Sequence, residues 1–134
     1  MTPQAEEAQR LMRLAHRDRG TFNLLLSLPQ AELAALGFHA QQAAEKAMKA
    51  VAVQLGLAVP RTHDLAALGT TIQQSGRALP LSIDELRLLN PFVVEFRYDD
   101  EIVTTVTREH LASLLNCLLA WADDQIQPPV SSPD

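Results

Sequence analysis

The chain has 134 residues, of which 47% are hydrophobic and 20% are charged, and its formal net charge is −5. This length is typical of one domain that buries an adequate core without cross-links. A single cysteine excludes an intramolecular disulfide, and four scattered histidines lack metal-ligand spacing, so neither a metal site nor a cofactor is predicted. No apolar run reaches the roughly 20 residues of a membrane span, and no signal peptide is expected.

The charge balance and the cysteine content also bear on location and partners. We expect a protein of the reducing cytoplasm, since the chain carries one cysteine and no targeting pattern. A protein that binds nucleic acid mainly by neutralising phosphates is usually basic, so a general nucleic-acid groove is not expected. A focused site for a nucleotide or one RNA is compatible with this charge. The first predicted helix carries local basic residues: Arg10, Arg13, Arg17 and Arg19.

The first predicted helix covers residues 3–26. Thr2 fits the N-cap position, ahead of a proline at the first helical position. Asp18 interrupts the apolar stripe of this helix, because it projects where the pattern requires an apolar residue. Ser27 and Gln30 then have the spacing of a capping box, which predicts a short link and an antiparallel pairing with the next helix.

The second predicted helix, which ends at Leu55, is the element around which the chain is organised. We expect about 26 residues, or some 40 Å of helix. Apolar residues cover more than half of its circumference, so other helices must cover it from more than one direction. Its alanines would let those helices approach closely. Only one face is clearly polar, and it consists of Gln42, Glu45, Lys46 and Lys49.

A third and a fourth helix follow the central one. Thr62 is the predicted N-cap of the third, and Ser82 with Glu85 forms a capping box that starts the fourth. The Asn90-Pro91 step is expected to kink the fourth helix, because proline cannot donate a backbone hydrogen bond. Past the kink this helix would continue through residues 95–98.

The remainder of the chain is predicted as a turn at residues 99–101, a last helix at about 104–125 and a flexible tail at 127–134. No stretch has the alternation of a β-strand, and no internal repeat occurs. The sequence therefore predicts an all-α, up-and-down bundle of four to five helices over residues 1–126.

Two opposite charges lie at predicted core positions, Asp18 in the first helix and Arg97 after the kink. A buried unpaired charge costs several kcal/mol, so each of them needs a partner or a wet cleft. One hypothesis is that both line a single cleft and pair directly. The alternative is a structural ion pair that joins two helices.

The polar face of the central helix also has two interpretations. Glu45 and Lys49 are four residues apart in the favourable orientation, so they could form a solvated helical ion pair and nothing more. They could instead line a site together with Lys46 and with His63, which precedes the third helix. Tyr98 could stack on a base, although an aromatic residue packed at a helix end is the more ordinary expectation.

Three segments, taken together, resemble the HEPN domain family. They are residues 38–50 (FHAQQAAEKAMKA), residues 62–65 (THDL) and residues 96–100 (FRYDD). The resemblance extends from about Leu11 to Trp121 and implies a bundle of four to five helices that commonly forms a homodimer. It also implies a minimal nucleotidyltransferase as the cognate partner. Roles in the family include nucleotide binding and, in many members, metal-independent RNase activity in toxin–antitoxin systems.

The RNase members of that family carry an arginine followed, after four to six residues, by a histidine. In this chain the window after Arg97 contains no histidine. Arg10 and His16 have a matching separation, but they lie on a different helix. Without an imidazole near Arg97, acid–base cleavage of RNA loses its usual proton carrier, unless His63 replaces it.

The leading hypothesis is therefore a catalytically degenerate HEPN protein that binds a nucleotide or a nucleotidyltransferase partner. Its expected ligand-binding residues are Asp18, Glu45, Lys46, Lys49, His63, Arg97 and Tyr98. One alternative is an RNase toxin that uses Arg97 and His63. The other is a dimerisation or interaction module without a ligand.

Overall fold

The computed structural model describes residues 2–90, 95–98, 101–104 and 106–126, and only the backbone of the two four-residue segments. These residues form five α-helices and one two-stranded hairpin. The helices are α1 (Pro3–Leu26), α2 (Leu33–Gln54), α3 (Leu65–Gln74), α4 (Ile83–Leu88) and α5 (Arg108–Ile126), and the strands are β1 (Glu95–Tyr98) and β2 (Glu101–Thr104). The predicted all-α bundle is confirmed, and the predicted tail at 127–134 lies outside the described residues.

Helix α1 begins as its sequence predicts. Thr2 Oγ1 accepts a hydrogen bond from the backbone N–H of Ala5 at 3.0 Å, with proline at the first helical position. Near this end, Gln4 Nε2 donates to the carbonyl oxygens of Val53 and Gln54, at 2.7 and 3.2 Å. Since the start of α1 thus meets the end of α2, the two helices are antiparallel.

Helix α2 is central, as predicted, and packs against α1, α3 and α5. Twelve of its 22 residues are buried, and half of these are alanines. The helix is shorter than predicted because the capping box at Ser27 and Gln30 does not form. Ser27 instead ends α1, with its Oγ donating to the carbonyl of Leu24 at 2.6 Å. Glu32 is the actual N-cap of α2, without a side-chain hydrogen bond.

The predictions for α3 and α4 are partly correct. The N-cap of α3 is Asp64 rather than Thr62, since Asp64 Oδ1 accepts from the N–H of Ala66 at 3.0 Å. Thr62 Oγ1 supports this cap by accepting from the N–H of Asp64 at 3.0 Å. The capping box of Ser82 and Glu85 at the start of α4 is confirmed by both of its hydrogen bonds.

The hairpin of β1 and β2 is the main departure from the predicted fold. The strands are antiparallel, with Arg97 opposite Ile102 and Tyr98 opposite Glu101. The prediction that a kinked fourth helix continues through residues 95–98 is wrong, because α4 ends at Leu88; the kink at Pro91 itself lies outside the described residues. Aromatic and β-branched residues favour strands here, but four residues are too few for a recognisable alternation.

Arg108, the first residue of α5, attaches that helix to the end of α1. Its Nη1 donates to the carbonyl of Ala31 at 2.7 Å, and its Nη2 donates to the carbonyls of Leu26 and Leu28 at 2.8 Å each. These carbonyls lie at and beyond the α1 C-terminus, where backbone acceptors have no helical partner. None of the described helices combines the length and apolarity that a membrane crossing requires.

Candidate functional site

A group of polar side chains lies between the middle of α2 and the segment that precedes α3. We call Gln41, Glu45, Lys49 and His63 the polar cluster. Gln41 and Glu45 are only 3% and 8% exposed, in a helix whose other buried residues are nonpolar. Buried polar groups of this kind must find hydrogen-bond partners within the protein, and here they find each other.

The Glu45 carboxylate is the centre of the polar cluster. Its Oε1 accepts hydrogen bonds from Gln41 Nε2 at 2.7 Å and from His63 Nδ1 at 2.9 Å, and its Oε2 accepts from Lys49 Nζ at 2.8 Å. Burial raises the pKa of Glu45, but the hydrogen bonds from Lys49, Gln41 and His63 together lower it further, to below the ordinary value of 4.5. Glu45 is therefore ionised at neutral pH.

His63 has one ring nitrogen bound to the protein and one facing solvent. Because an ionised carboxylate only accepts hydrogen bonds, His63 Nδ1 must be the donor in its bond to Glu45. The ring is 85% exposed, and no described residue hydrogen-bonds to Nε2. In the neutral ring, Nε2 then presents a lone pair to solvent, and in the charged ring it presents a second N–H.

Gln41 fixes the backbone that carries His63. Its Nε2 donates both to Glu45 and to the carbonyl oxygen of His63, the latter at 3.0 Å, while its Oε1 accepts from Gln42 Nε2 at 3.0 Å. Gln41 was not among the predicted site residues. The signal that could have identified it is an amide at a buried position of an alanine-rich helix.

Asp18 pairs with Lys46, which directly follows Glu45 in α2. The two side chains are 17% and 27% exposed, so this ion pair between α1 and α2 is largely desolvated. Asp18 is thus partly buried and has a partner, as the sequence requires. The hypothesis that it faces Arg97 concerns a side chain outside the described residues.

Five of the seven predicted site residues therefore lie in two hydrogen-bonded groups on neighbouring positions of α2. These residues are Asp18, Glu45, Lys46, Lys49 and His63. The other two, Arg97 and Tyr98, lie on β1, and their side chains are outside the described residues.

Both lysines of the chain, Lys46 and Lys49, belong to these groups. Each lysine is matched by one carboxylate, so the charges of Asp18, Glu45, Lys46 and Lys49 sum to zero. Protonation of His63 would give the site a net positive charge. The arrangement can therefore supply ammonium and imidazole N–H groups to an anion, or a lone pair to a proton donor.

His16 has the separation from Arg10 that the RNase members of the HEPN family show, but both of its ring nitrogens contact other side chains. Its Nε2 lies 2.8 and 2.9 Å from the two carboxylate oxygens of Asp123, and Arg19 Nη2 lies 3.1 Å from its Nδ1. Both ring nitrogens are occupied, so His16 is not available as a proton carrier beside Arg10. Within the described part of the chain, no three histidine, cysteine, aspartate or glutamate side chains are grouped as a metal site.

Comparison with protein-family models identifies a family for this chain. The family model described as HEPN domain matches residues 8–120, which include the polar cluster and the Asp18–Lys46 pair. No curated protein and no solved structure matches this chain.

Proposed function

The chain belongs to the HEPN domain family, and from that premise we propose that it is a non-catalytic member that binds a nucleotide. The binding site is the polar cluster together with Lys46. A cognate minimal nucleotidyltransferase is the partner we propose for it, in a two-component module of the toxin–antitoxin type. We also propose that the chain acts as a homodimer.

The observation that carries this proposal is the anchoring of His63 on Glu45. A ring that is 85% exposed, yet held through Nδ1 by a nearly buried carboxylate, is directed toward solvent rather than used inside the fold. Such an arrangement costs burial of a charge and is best explained by a ligand that contacts Nε2.

Phosphate is the ligand group that this chemistry fits. Lys46, which pairs with α1 through Asp18, and Lys49, which pairs with Glu45 on its own helix, are point charges whose side chains are still 27% and 23% exposed. An ammonium group can keep its carboxylate partner and donate a further N–H to a phosphate oxygen, since it has three donors. A protonated His63 adds a charge-assisted hydrogen bond.

The chain contains only two lysines, and both belong to the proposed site, so a measurement on lysine side chains reports on that site alone. Expression with ¹³C,¹⁵N-lysine labels these two side chains without changing their N–H donors. Titration with nucleoside mono-, di- and triphosphates should shift the side-chain resonances of both lysines. At 100 times the dissociation constant, the nucleotide should also add about 2.7 kcal/mol to the free energy of unfolding.

Variants complete this experiment. His63→Gln should weaken nucleotide binding, whereas His110→Gln, which changes an exposed histidine of α5, serves as the matched control and should not. If no nucleotide shifts the lysine signals or the stability, the nucleotide-binding proposal is rejected. The interaction module without a ligand then becomes the preferred function.

An RNase toxin is the second candidate function, and the Glu45–His63 hydrogen bond specifically favours it. A carboxylate that fixes the tautomer of an exposed imidazole is the arrangement that a general base requires. In the RNase mechanism, His63 Nε2 would accept the proton of a ribose hydroxyl, and Arg97 would bind the phosphate. It predicts RNA cleavage that Arg97→Ala abolishes. Purified protein that leaves folded and single-stranded RNA intact would eliminate it.

A further inference from the structure

Phe38 is exposed on the same helix as the proposed site. Among the described residues three large hydrophobic side chains are exposed, and Phe38, at 50%, is the aromatic one. Its ring packs perpendicular to that of His39, with 5.2 Å between the ring centroids and 85° between the planes. His39 thus packs against the phenyl ring, while Phe38 remains half exposed to solvent.

The position of Phe38 on α2 relates it to the proposed site. Residues seven apart in an α-helix lie on nearly the same face, so Phe38 and Glu45 are in register, about 10 Å apart along the axis. Lys49 continues this face by one more turn. An exposed aromatic ring and the charged groups thus follow one another along a single helical surface.

Gln42 lies between the ring and the charges. It is one turn from Phe38 and one turn from Lys46, on the same side of α2. It is partly exposed, and its Nε2 donates to Gln41 Oε1 at 3.0 Å. No described residue donates a hydrogen bond to Gln42 Oε1, so this amide retains an acceptor for a ligand.

We propose that Phe38 and Gln42 form a subsite for a base, and that the ligand is a nucleotide or a single-stranded nucleic acid. The base stacks on the open half of the Phe38 ring, and Gln42 accepts a hydrogen bond from the base edge or a ribose hydroxyl. The phosphate lies toward Lys46, Lys49 and His63. This inference rests on the proposed function and specifies it, since a phosphorylated compound without a flat ring would not use Phe38.

The same surface argues for a base rather than for a protein partner. Toward the C-terminus of α2, the neighbours of Phe38 on this face are an amide and ionised side chains, and toward the N-terminus they are Ala34 and Ala35, which offer only one methyl group each. Base stacking needs only one aromatic face and tolerates polar surroundings, as single-stranded nucleic-acid sites illustrate.

The test compares a short oligoadenylate with an abasic ribose-phosphate oligomer of equal length, by calorimetric titration. Phe38→Ala should weaken binding of the oligoadenylate by about 5- to 150-fold, the equivalent of ~1–3 kcal/mol for one stacked base. It should leave binding of the abasic oligomer unchanged. Phe38→Tyr should retain the affinity, and Leu24→Ala, which alters a leucine that is 70% exposed, is the control and should have no effect.

The outcomes separate this inference from the proposal on which it rests. If the wild-type chain binds neither oligomer nor any nucleoside phosphate, the proposed function fails. If it binds nucleoside phosphates and Phe38→Ala does not weaken that binding, the proposed function stands and the base subsite is overturned. If both oligomers bind with equal affinity and Phe38→Ala changes neither, phosphate binding stands and the base subsite is overturned. If Phe38→Ala changes only the oligomeric state, measured by light scattering, the ring belongs to an interface between copies of the chain, and the subsite is likewise overturned.

Discussion

Glu45 and His63 are 18 residues apart in sequence, yet Glu45 Oε1 and His63 Nδ1 are separated by only 2.9 Å. One partner is nearly buried in the central helix and the other is almost fully exposed ahead of α3. The bond links the inside of the bundle to a surface where a ligand can bind. The stability and the chemistry of this region should therefore change together when either residue changes.

The depressed pKa of Glu45 predicts how stability depends on pH. The unfolded chain protonates Glu45 near 4.5, whereas the native carboxylate protonates at lower pH because its hydrogen bonds outweigh its burial. The stabilisation is thus complete above 4.5 and is lost as the pH falls through the native pKa. Glu45→Gln should lower the free energy of unfolding by about 1–3 kcal/mol near neutral pH, because an amide cannot accept from all three donors.

Urea unfolding of the wild-type and Glu45→Gln proteins, near neutral pH and again well below 4.5, measures this effect. The difference between the two proteins should shrink on the acid side. A difference that stayed constant over this range would mean that the native pKa of Glu45 is not depressed.

Gln41 should position His63 as well as stabilise α2. Gln41→Leu removes the donor to the His63 carbonyl and one donor to Glu45, and it should cost about 1–3 kcal/mol of stability because buried acceptors lose a partner. It should also free the His63 ring to sample other rotamers. ¹⁵N spectra of the ring nitrogens would detect a shift from the Nδ1–H tautomer toward Nε2–H. An unchanged tautomer would show that Glu45 alone orients the ring.

Much of this fold follows from local sequence patterns. The apolar coverage of α2, Thr2 at the start of α1 and the capping box of Ser82 and Glu85 all depend on residues within a few positions of each other. One wrong prediction, the capping box at Ser27, involves competition between local signals. Ser27 has a capping-box spacing, but its hydrogen bonds close α1 instead, since both its N–H and its Oγ donate to α1 carbonyls.

The candidate site is less accessible to such reasoning, because its contacts are distant in sequence. The charge at Asp18 indicated that a partner was needed, but only the packing of α1 on α2 selects Lys46, 28 residues away. Likewise, the spacing of Glu45 and Lys49 predicts their ion pair, while the attachment of His63 depends on the loop after α2. Helical periodicity identifies a polar face, and tertiary packing decides what joins it.

The Asp18–Lys46 pair should contribute measurably to stability because it is largely shielded from water. A double-mutant cycle with Asp18→Asn and Lys46→Met should give a coupling of about 1 kcal/mol, at the upper end of what surface pairs reach. The exposed pair of Glu7 and Arg10, with side chains 44% and 53% exposed, is the matched control and should couple weakly. Equal coupling in the two cycles would show that burial does not strengthen the Asp18–Lys46 pair.

Replacing Arg108 should lower the free energy of unfolding more than replacing any other described arginine. Its guanidinium donates hydrogen bonds to the carbonyl oxygens of Leu26, Leu28 and Ala31 at the same time. Arg108→Met leaves these acceptors without their donor and should lower the free energy of unfolding by about 1–3 kcal/mol. Arg108→Lys should recover only part of this loss, since a single ammonium cannot reproduce the two ends of the guanidinium.

Arg87→Met is the matched control for this prediction, because Arg87 is 57% exposed and pairs with an exposed Asp84. Its effect should stay within about 0.5 kcal/mol. Hydrogen exchange adds a local measurement: Arg108→Met should accelerate exchange at the end of α1 and in the link to α2, while α3 remains protected. Uniform acceleration over all helices would instead mean that Arg108 stabilises the bundle as a whole, without a specific role in joining α5 to the α1 terminus.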